Sequence, residues 1–503
     1  MRGFSTLELL LALGLMTATI AAVLLITIAL PASVADGHKE RTAMNAASQL
    51  LTAQELLGRN SFNSILSLAT STTDEYVLSL SATLLPDGIT KRLRAHVSWV
   101  DAKGRFRSST LYSVLTDFKN TITPTLCDSV LMGDWSHPVM KTFSLQSGDL
   151  LPPGNGSSSY PISTLAVSST TLIAGINSAQ NKTDPTLFIF DLSSSTHPSY
   201  QSSIDTASTT KQGVNAIVVA GKYMYTANAG TPDFSTCVAG PACNQLQIFD
   251  IQDTHSPSLI ESFQLATSTF PFATGSGGQS NAKSIAYSDG LIYLGLTKTG
   301  SALGNEFNII DVHDPYAPVV LGSFPVGRTI NRILISGALA YLATDDPFRD
   351  LMILDIHDPL RITQIGSYDA LGTAGFGYAR DIALSSTTLL LGRTYTPTGP
   401  ALSILTVAST SAPTQLYSAV VPDLPNPVTI EGVIVRDFLA FILTPSSLLV
   451  LDISDPKHPA RYVAPLQLPS GATGTALICR NNTLYIGSVG LDHTGYVSVV
   501  TAL

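Results

Sequence analysis

Three features of the sequence predict a mainly β fold that begins with a long α-helix. The first is an apolar run, residues 9–30, followed by a segment with helical periodicity. The second is a set of three alternating runs within residues 67–120, and the third is a repeat of about 44 residues that fills residues 121–503. We therefore expect a long N-terminal helix with a small antiparallel sheet, followed by a seven-bladed β-propeller.

The N-terminal helix is expected to cover residues 4–66. No charged residue occurs in residues 9–30, and a helix of about 20 residues crosses a bilayer core of about 30 Å. Arg2 precedes this run and the next basic residue is Lys39, which predicts a cytoplasmic N-terminus and an exported remainder. Two alternatives remain: a secretory signal peptide, with a cleavage site in residues 32–35, and an ordinary membrane anchor.

The sequence GFSTLE at positions 3–8, together with the apolar run behind it, resembles the N-terminus of type IV prepilins. This family includes pilins and the pseudopilins of type II secretion. The resemblance implies that residues 1–3 are a leader, that a prepilin peptidase cuts between Gly3 and Phe4, and that the new amine of Phe4 is methylated. It also implies that Glu8 pairs with the N-terminal amine of a neighbouring subunit in a filament, because a carboxylate at the head of a membrane span needs a partner.

The segment that follows the apolar run predicts a helix packed on a small sheet. Residues 38–66 keep an apolar spacing near 3.6 residues. Residues 67–120 contain three alternating runs separated by Asp/Gly turns, which is typical of an antiparallel meander. Strict alternation places the series Leu93, Ala95, Val97 and Trp99 on the face toward the helix and His96 on the outer face, as a solvated residue. The resemblance to pilins implies the same helix-on-sheet arrangement.

The repeat in residues 121–503 is clearest in its third strands. Six copies precede a turn that usually carries proline, among them FNIIDVHDP, LMILDIHDP and LLVLDISDP. Seven copies of a first strand are present, the last unit has only three strands, and residues 136–145 supply a proline turn and one strand. Four-stranded units of this length are propeller blades, and lending the early strand to the last blade closes the ring. The third-strand phrases resemble LVIVD repeats, a family for which a propeller is implied but no single activity.

One aspartate ends the third strand in five of the six copies. These residues are Asp191, Asp250, Asp311, Asp355 and Asp452. Such a carboxylate accepts the N–H two residues later and fixes the turn, so we interpret these residues as architecture. The histidines in the same turns lack the spacing of metal ligands, and we expect neither a metal nor another cofactor.

Four cysteines suit an exported protein. Cys237 and Cys243 flank a short, turn-rich segment and predict a local disulfide. A bond between Cys127 and Cys479 would lock the ring at its closure, which the chain-entropy model values at about 4 to 5 kcal/mol. Reduced, buried cysteines are the alternative.

The innermost strands begin with polar residues that are expected to line the central channel. They are Asn215, Lys283, Asn331, Arg332, Arg380, Asp381 and Glu431. Asp381 and Glu431 could in principle form an acid/base pair, but they come from adjacent blades without a nucleophile motif, and every propeller needs polar residues in its channel. Loops rich in Gly, Ser, Thr and Pro favour recognition instead, and Phe270 and Phe272 are the best anchor candidates.

A net charge of −9 with only 13% charged residues argues against nucleic-acid binding. We expect a non-catalytic minor pilin, located at the filament tip, that presents its propeller as an adhesin. It would enter the bacterial inner membrane as a single-pass prepilin and then reach the cell surface. The expected partners are other pilin subunits, the prepilin peptidase, the pilus assembly machinery and a protein or glycan ligand. The alternatives are a minor pseudopilin whose propeller binds exported substrate and a surface-anchored, glycan-active enzyme.

Overall fold

The structure is a computed structural model that describes seventeen stretches of the chain. They are residues 39–54, 68–73, 76–84, 90–101, 103–116, 127, 131–153, 160–168, 170–177, 184–206, 213–229, 244–265, 281–298, 305–370, 377–394, 400–419 and 428–503. The chain divides into two compact units, residues 1–121 and residues 122–503.

The N-terminal unit contains one helix and one antiparallel sheet in its described part. Helix α1 covers residues 39–54. The strands, in the order β1-β2-β3-β4, are β1 Leu68–Thr72, β2 Tyr76–Leu84, β3 Thr90–Val100 and β4 Phe106–Thr116. Ala43, Ala47 and Leu51 lie four residues apart on one face of α1. They share a core with the predicted inward series of β3, from Leu93 to Trp99, so the predicted facing of this strand is confirmed.

Two predictions for this unit are wrong. The long helix over residues 4–66 is not what the structure shows: among the described residues the helix is confined to residues 39–54, and the fold is mainly β. Pro31 and Gly37 separate the apolar run from α1 in the sequence, and both residue types disfavour a continuous helix. The sheet has four strands, because β1 adds an edge strand whose sequence, LATST, does not alternate. The predicted span at residues 9–30 lies outside the described residues, and no helix among the described ones is long and apolar enough to cross a membrane.

The described residues of the C-terminal unit form seven antiparallel sheets. The first sheet consists of β6 Ile162–Val167, β7 Thr171–Ile176, β8 Leu187–Asp191 and β9 Ser199–Ile204. The second consists of β10 Gly213–Ala220, β11 Tyr223–Ala229, β12 Leu246–Asp250 and β13 Ser258–Phe263. The third consists of β14 Ala282–Ser288, β15 Leu291–Leu296, β16 Phe307–Asp311 and β17 Val319–Phe324. The fourth consists of β18 Ile330–Ser336, β19 Leu339–Thr344, β20 Leu351–Asp355 and β21 Thr363–Tyr368, with a 3-10 helix at Pro359–Arg361 before its last strand. The fifth consists of β22 Ala379–Ser385, β23 Thr388–Arg393, β24 Leu402–Thr406 and β25 Thr414–Ala419. The sixth consists of β26 Gly432–Arg436, β27 Leu439–Leu443, β28 Ser447–Asp452, β29 Ala460–Arg461 and β30 Leu466–Gln467. The seventh consists of β31 Thr473–Arg480, β32 Thr483–Val489, β33 Gly495–Thr501 and β5 Val139–Ser144.

The sheets form a ring. The first strand of each sheet packs against the first strands of its two neighbours, from β6 beside β10 round to β31 beside β6. The unit is therefore a seven-bladed β-propeller, with blades 1 to 7 in the order given and the first strands innermost.

The N-terminal strand closes the ring. Strand β5 pairs antiparallel with β33, in a register that joins Tyr496 to Ser144 and Thr501 to Val139. The same seam is tied by the backbone of Asp134, whose N–H donates to the carbonyl of Leu503 at 2.9 Å. Closing a ring in this way removes the free strand edges that would otherwise pair with other chains.

The outer strand of blade 6 is divided into two short pieces. Strand β29 pairs with the end of β28, and β30 pairs with its beginning. Pro465 lies just before β30 and has no N–H to donate, so a continuous ladder with β28 is interrupted there.

The turns after the third strands use the aspartates as predicted. In each case the carboxylate accepts the N–H of the residue two positions later, as from His313 to Asp311 at 2.9 Å and from Ser454 to Asp452 at 2.8 Å. In blade 5, the hydroxyl of Thr406 replaces the carboxylate and accepts the N–H of Ala408 at 3.4 Å. The interpretation of this position as architecture is confirmed.

Candidate functional site

The two ends of the propeller channel differ in their connections. At one end the innermost strands begin, and the chain passes there from second to third strands and from each blade to the next. We call this end the loop face. Its connections include the longest in the unit, residues 230–245 and 264–281. The opposite end, which we call the turn face, carries the short hairpin turns and the aspartate turns.

The structure brings the predicted channel residues together. Asn215, Lys283, Arg332, Arg380, Asp381 and Glu431 all line one cavity of about 500 Å³ that runs between the innermost strands. Each lies where an innermost strand begins, so the polar residues gather at the loop face. Cavities of small-molecule sites usually measure roughly 300 to 1,000 Å³.

Many of the polar groups here hold neighbouring blades together. Asn215 Nδ2 donates to the carbonyl of Ala282 at 2.7 Å, and Asn331 Nδ2 donates to the carbonyl of Ala379 at 2.8 Å. The same bond between blades is made by the hydroxyls of three further residues, Ser163 to Val214, Ser284 to Ile330 and Thr475 to Ile162. Sequence reasoning missed these three, although each stands at the start of an innermost strand, as Asn215 and Asn331 do.

Asp381 links three blades. Its Oδ2 accepts the N–H of Val433 in blade 6 at 2.8 Å, and its Oδ1 lies 3.1 Å from Arg332 Nε in blade 4. Oδ1 also accepts the N–H of Ile382 at 3.0 Å. Burial raises the pKa of Asp381, and Arg332 and the two N–H groups oppose that rise.

Glu431 forms the second ion pair of the channel. Its Oε2 contacts Arg380 Nη2, so blade 6 is joined to blade 5 a second time. Burial raises the pKa of Glu431, while Arg380 and Lys283 act in the opposite direction. The two carboxylates that would form an acid/base pair are thus each held by an arginine.

Lys283 differs from the other charged residues of the channel. It is half-buried at the start of β14 and lines the cavity, yet the described part of the chain gives it no ion pair. Burial, and secondarily the positive charge of Arg380, lower the pKa of Lys283, and Glu431 offsets this only in part.

Beyond the polar residues the channel also exposes aliphatic side chains. Five blades each contribute a half-buried aliphatic side chain to the cavity: Val218, Leu334, Leu384, Ile434 and Ile478. We call these residues the aliphatic ring. The cavity therefore has a charged mouth on the loop face and aliphatic side chains beyond it.

A disulfide lies toward the turn face of the channel. Cys127 and Cys479 are bonded, with their Cα atoms 5.3 Å apart, as the sequence predicted. Both residues also line the cavity. The bond joins the stretch that precedes the closing strand to the innermost strand of blade 7, where the ring is completed.

Several predicted residues lie outside the described ones. They are Gly3, Phe4, Glu8, Cys237, Cys243, Phe270 and Phe272. Among the residues that are described, no group of three or more His, Cys, Asp or Glu side chains is placed to hold a metal ion.

A buried ion pair on the loop face was not predicted. Arg393 Nε lies 2.9 Å from Asp350 Oδ1, and both side chains are almost fully buried between blades 5 and 4. Arg393 also donates to the carbonyl of Pro400 at 2.9 Å, and Asp350 accepts the N–H of Ala370 at 3.0 Å. In the sequence, arginine at the end of an apolar strand indicates a solvated strand end, and only the tertiary structure shows its partner.

Comparison with known proteins identifies the repeat. Residues 327–370 and 439–462 match the model of the LVIVD repeat. These stretches lie in blade 4 and blade 6, and the chain contains LVIVD repeats there. No curated protein matches the sequence.

Solved structures with a similar chain trace include one from S. cerevisiae, which contains a Dbp5 variant bound to Nup159, a Gle1 variant, IP6 and ADP. The matched chain is 8% identical, the match covers 74% of the present chain and 96% of that chain, and the TM-score is 0.42. A likeness at this level carries no argument about function.

Proposed function

We propose that this chain is a non-catalytic recognition protein that presents the loop face of its propeller to a ligand at the cell surface. The observation that carries the proposal is the unequal distribution of connections. Four stretches rich in Gly, Ser, Thr and Pro lengthen connections of the loop face: residues 228–244, 266–282, 297–306 and 394–400. Variable connections on a rigid scaffold are where recognition usually occurs.

The contacts of the channel carboxylates favour recognition over catalysis. A general acid or base must reach a substrate proton. Asp381 is instead engaged by Arg332 and two backbone N–H groups, and Glu431 is engaged by Arg380. A glycan-active enzyme is the competing hypothesis. It predicts a hydrolytic activity on polysaccharides that Asp381→Asn or Glu431→Gln removes while the melting temperature is kept.

The proposed location rests on the N-terminal sequence. The GFSTLE motif and the apolar residues 9–30 support processing as a type IV prepilin, with cleavage after Gly3, methylation of Phe4, and insertion in the bacterial inner membrane before surface exposure. A propeller unit of residues 122–503 on every subunit would be difficult to accommodate in a tight helical filament. We therefore propose a minor subunit at the filament tip.

Filament incorporation tests this location. Filaments are purified from cells that produce the wild-type chain, Glu8→Ala or Glu40→Ala, and are examined by mass spectrometry and immunogold labelling. We expect tip labelling for the wild type and for the control Glu40→Ala, whose exposed glutamate lies in α1. We expect loss for Glu8→Ala, because it removes the carboxylate that would pair with a neighbouring amine. Absence of the wild-type chain from filaments, or incorporation of Glu8→Ala at the wild-type level, contradicts the pilin role.

A further inference from the structure

The mouth of the channel contains a cation that the described residues leave without an ion pair. Arg332 pairs with Asp381, and Arg380 pairs with Glu431. These pairs balance four of the five charges that the described residues place at the mouth. Lys283 is the fifth, and it lines the same cavity. The described residues therefore give the mouth a net charge of +1, in a protein whose net charge is −9.

The position of this cation matters as much as its charge. Lys283 is the second residue of β14 and directly precedes Ser284, whose hydroxyl donates to the carbonyl of Ile330 at 2.8 Å. The backbone that carries Lys283 is thereby anchored to the next blade. A cation that is half-buried before any ligand arrives is already partly desolvated, and an anion then interacts with it more strongly than in bulk water.

The interior of the cavity limits the kind of anion. Beyond the mouth lies the aliphatic ring, whose half-buried members include Val218, Leu334 and Ile478. A phosphate or sulfate ion would leave this surface uncovered, whereas an aliphatic chain would cover it and gain about 25 cal/mol for each Å² of apolar surface removed from water.

We propose that the channel mouth binds an organic carboxylate, with Lys283 contacting the carboxylate and the aliphatic ring contacting the hydrocarbon part of the ligand. This inference rests on the proposed function, because it names a ligand class for the same recognition face. No covalent step is involved, and the channel acts as a binding site only.

The electrostatics of the empty mouth agree with this assignment. Burial and the nearby Arg380 lower the pKa of Lys283, so its charged form is less favoured than that of an exposed lysine. A carboxylate at the mouth offsets both effects. Glu431 lies near enough to act on Lys283 but is held by Arg380, so the ligand does not have to displace it.

Calorimetric titration of the full chain with octanoate tests the proposal. We expect saturable binding to the wild type, and at least about tenfold weaker binding to Lys283→Met, because the variant loses a charge-assisted contact while keeping the length of the side chain. The matched control is Lys141→Met. Lys141 is exposed on the outer strand β5, and this variant should bind as the wild type does.

Two probes of the wild type keep the test independent of variant folding. Octanol has the same chain without the carboxylate, and inorganic phosphate has the charge without the chain. Both should bind at least about tenfold more weakly than octanoate. Octanoate binding that is absent, that is matched by either probe, or that survives Lys283→Met overturns the proposal.

The outcome is separable from that of the proposed function. Adhesion that depends on the loop face, measured with Phe348→Glu against Leu360→Glu as described below, does not require octanoate binding. If octanoate does not bind but adhesion depends on Phe348, only the carboxylate site is rejected. A negative adhesion result rejects recognition by the loop face, whether or not octanoate binds.

Discussion

Removal of the Cys127–Cys479 disulfide should destabilise the propeller without opening it. The bond spans a sequence separation of 352 residues. For a loop of that size the chain-entropy model gives about 6 kcal/mol, more than the roughly 4 to 5 kcal/mol expected from the sequence, and removal of native disulfides typically costs about 2 to 5 kcal/mol. The closing pair β5–β33 remains in the variant, together with the bond from Asp134 to Leu503. We therefore expect a loss of about 3 to 5 kcal/mol with the ring still closed.

Differential scanning calorimetry of Cys127→Ser/Cys479→Ser measures this loss. The unit covers residues 122–503, and an unfolding entropy of about 2.1 cal/mol/K for each residue converts the expected loss to a fall in Tm of about 4 to 6 °C. The control is Cys237→Ser/Cys243→Ser. A loop between those two residues has a chain-entropy contribution of only about 2 kcal/mol, so the fall should be smaller.

Two results would refute this reasoning. A double variant whose Tm stays within about 1 °C of the wild type would show that the bond does not constrain the unfolded chain. A larger fall for the Cys237/Cys243 variant would show that the ring closure is not where the unfolded state is most constrained.

Three further predictions follow from contacts within the propeller. A Cβ at Gly366 would lie 2.0 Å from the carbonyl oxygen of Thr410. Gly366→Ala should therefore lower the free energy of unfolding, measured in urea, by about 1 to 3 kcal/mol. An equal loss for the exposed neighbour Ser367→Ala would contradict the close packing of blades 4 and 5. Asp350→Ala leaves Arg393 buried without its carboxylate, so it should lower the free energy of unfolding by about 3 to 5 kcal/mol. The double variant Asp350→Leu/Arg393→Met removes both charges and should lose less. Equal losses for the two variants would contradict the buried pair. Hydrogen bonds from Ser136 and His137 lower the pKa of Asp134 to about 2, and backbone N–H groups lower the pKa of several turn aspartates. A carboxyl group with a lowered folded pKa stabilises fully above its unfolded pKa and loses that effect as the pH falls through the folded pKa. Tm should therefore fall between about pH 4 and pH 2, and a Tm that is flat over this range would contradict the role of these turns.

The propeller could be predicted from the sequence because its strands and turns are set by local patterns that recur in each blade. The third strands recur with the same apolar residues, and the aspartate after each strand accepts an N–H only two residues away. The closing strand at Val139–Ser144 was also recognisable, because its proline turn has no third strand before it in the chain. Features set by residues near in sequence, and present several times, are the ones that a single sequence reveals.

Contacts between blades were much less predictable. Thr475 bonds to the carbonyl of Ile162 across 313 positions, and a threonine at the start of a strand does not indicate such a partner. The pairing of Arg393 with Asp350 has the same character. For the channel, the sequence predicted which residues gather at the loop face. It did not show that most of them are used between blades, nor that Lys283 differs from the rest, because that depends on distances set by the closed ring.

The N-terminal unit shows the opposite weakness. Apolar spacing near 3.6 residues predicted a helix over residues 4–66, but such a spacing does not by itself fix where a helix begins and ends. Strand β1 escaped notice because LATST has no alternation and is short.

The central claim, recognition through the loop face, is tested most directly by comparing two exposed residues of blade 4. Phe348 lies on the loop face between β19 and β20, and Leu360 lies on the turn face between β20 and β21; their exposed fractions are 56% and 80%. Cells that display Phe348→Glu should lose adhesion to the target surface, whereas cells that display Leu360→Glu at the same level should adhere as the wild type does. Equal adhesion of the two variants, or loss only for Leu360→Glu, would contradict the claim.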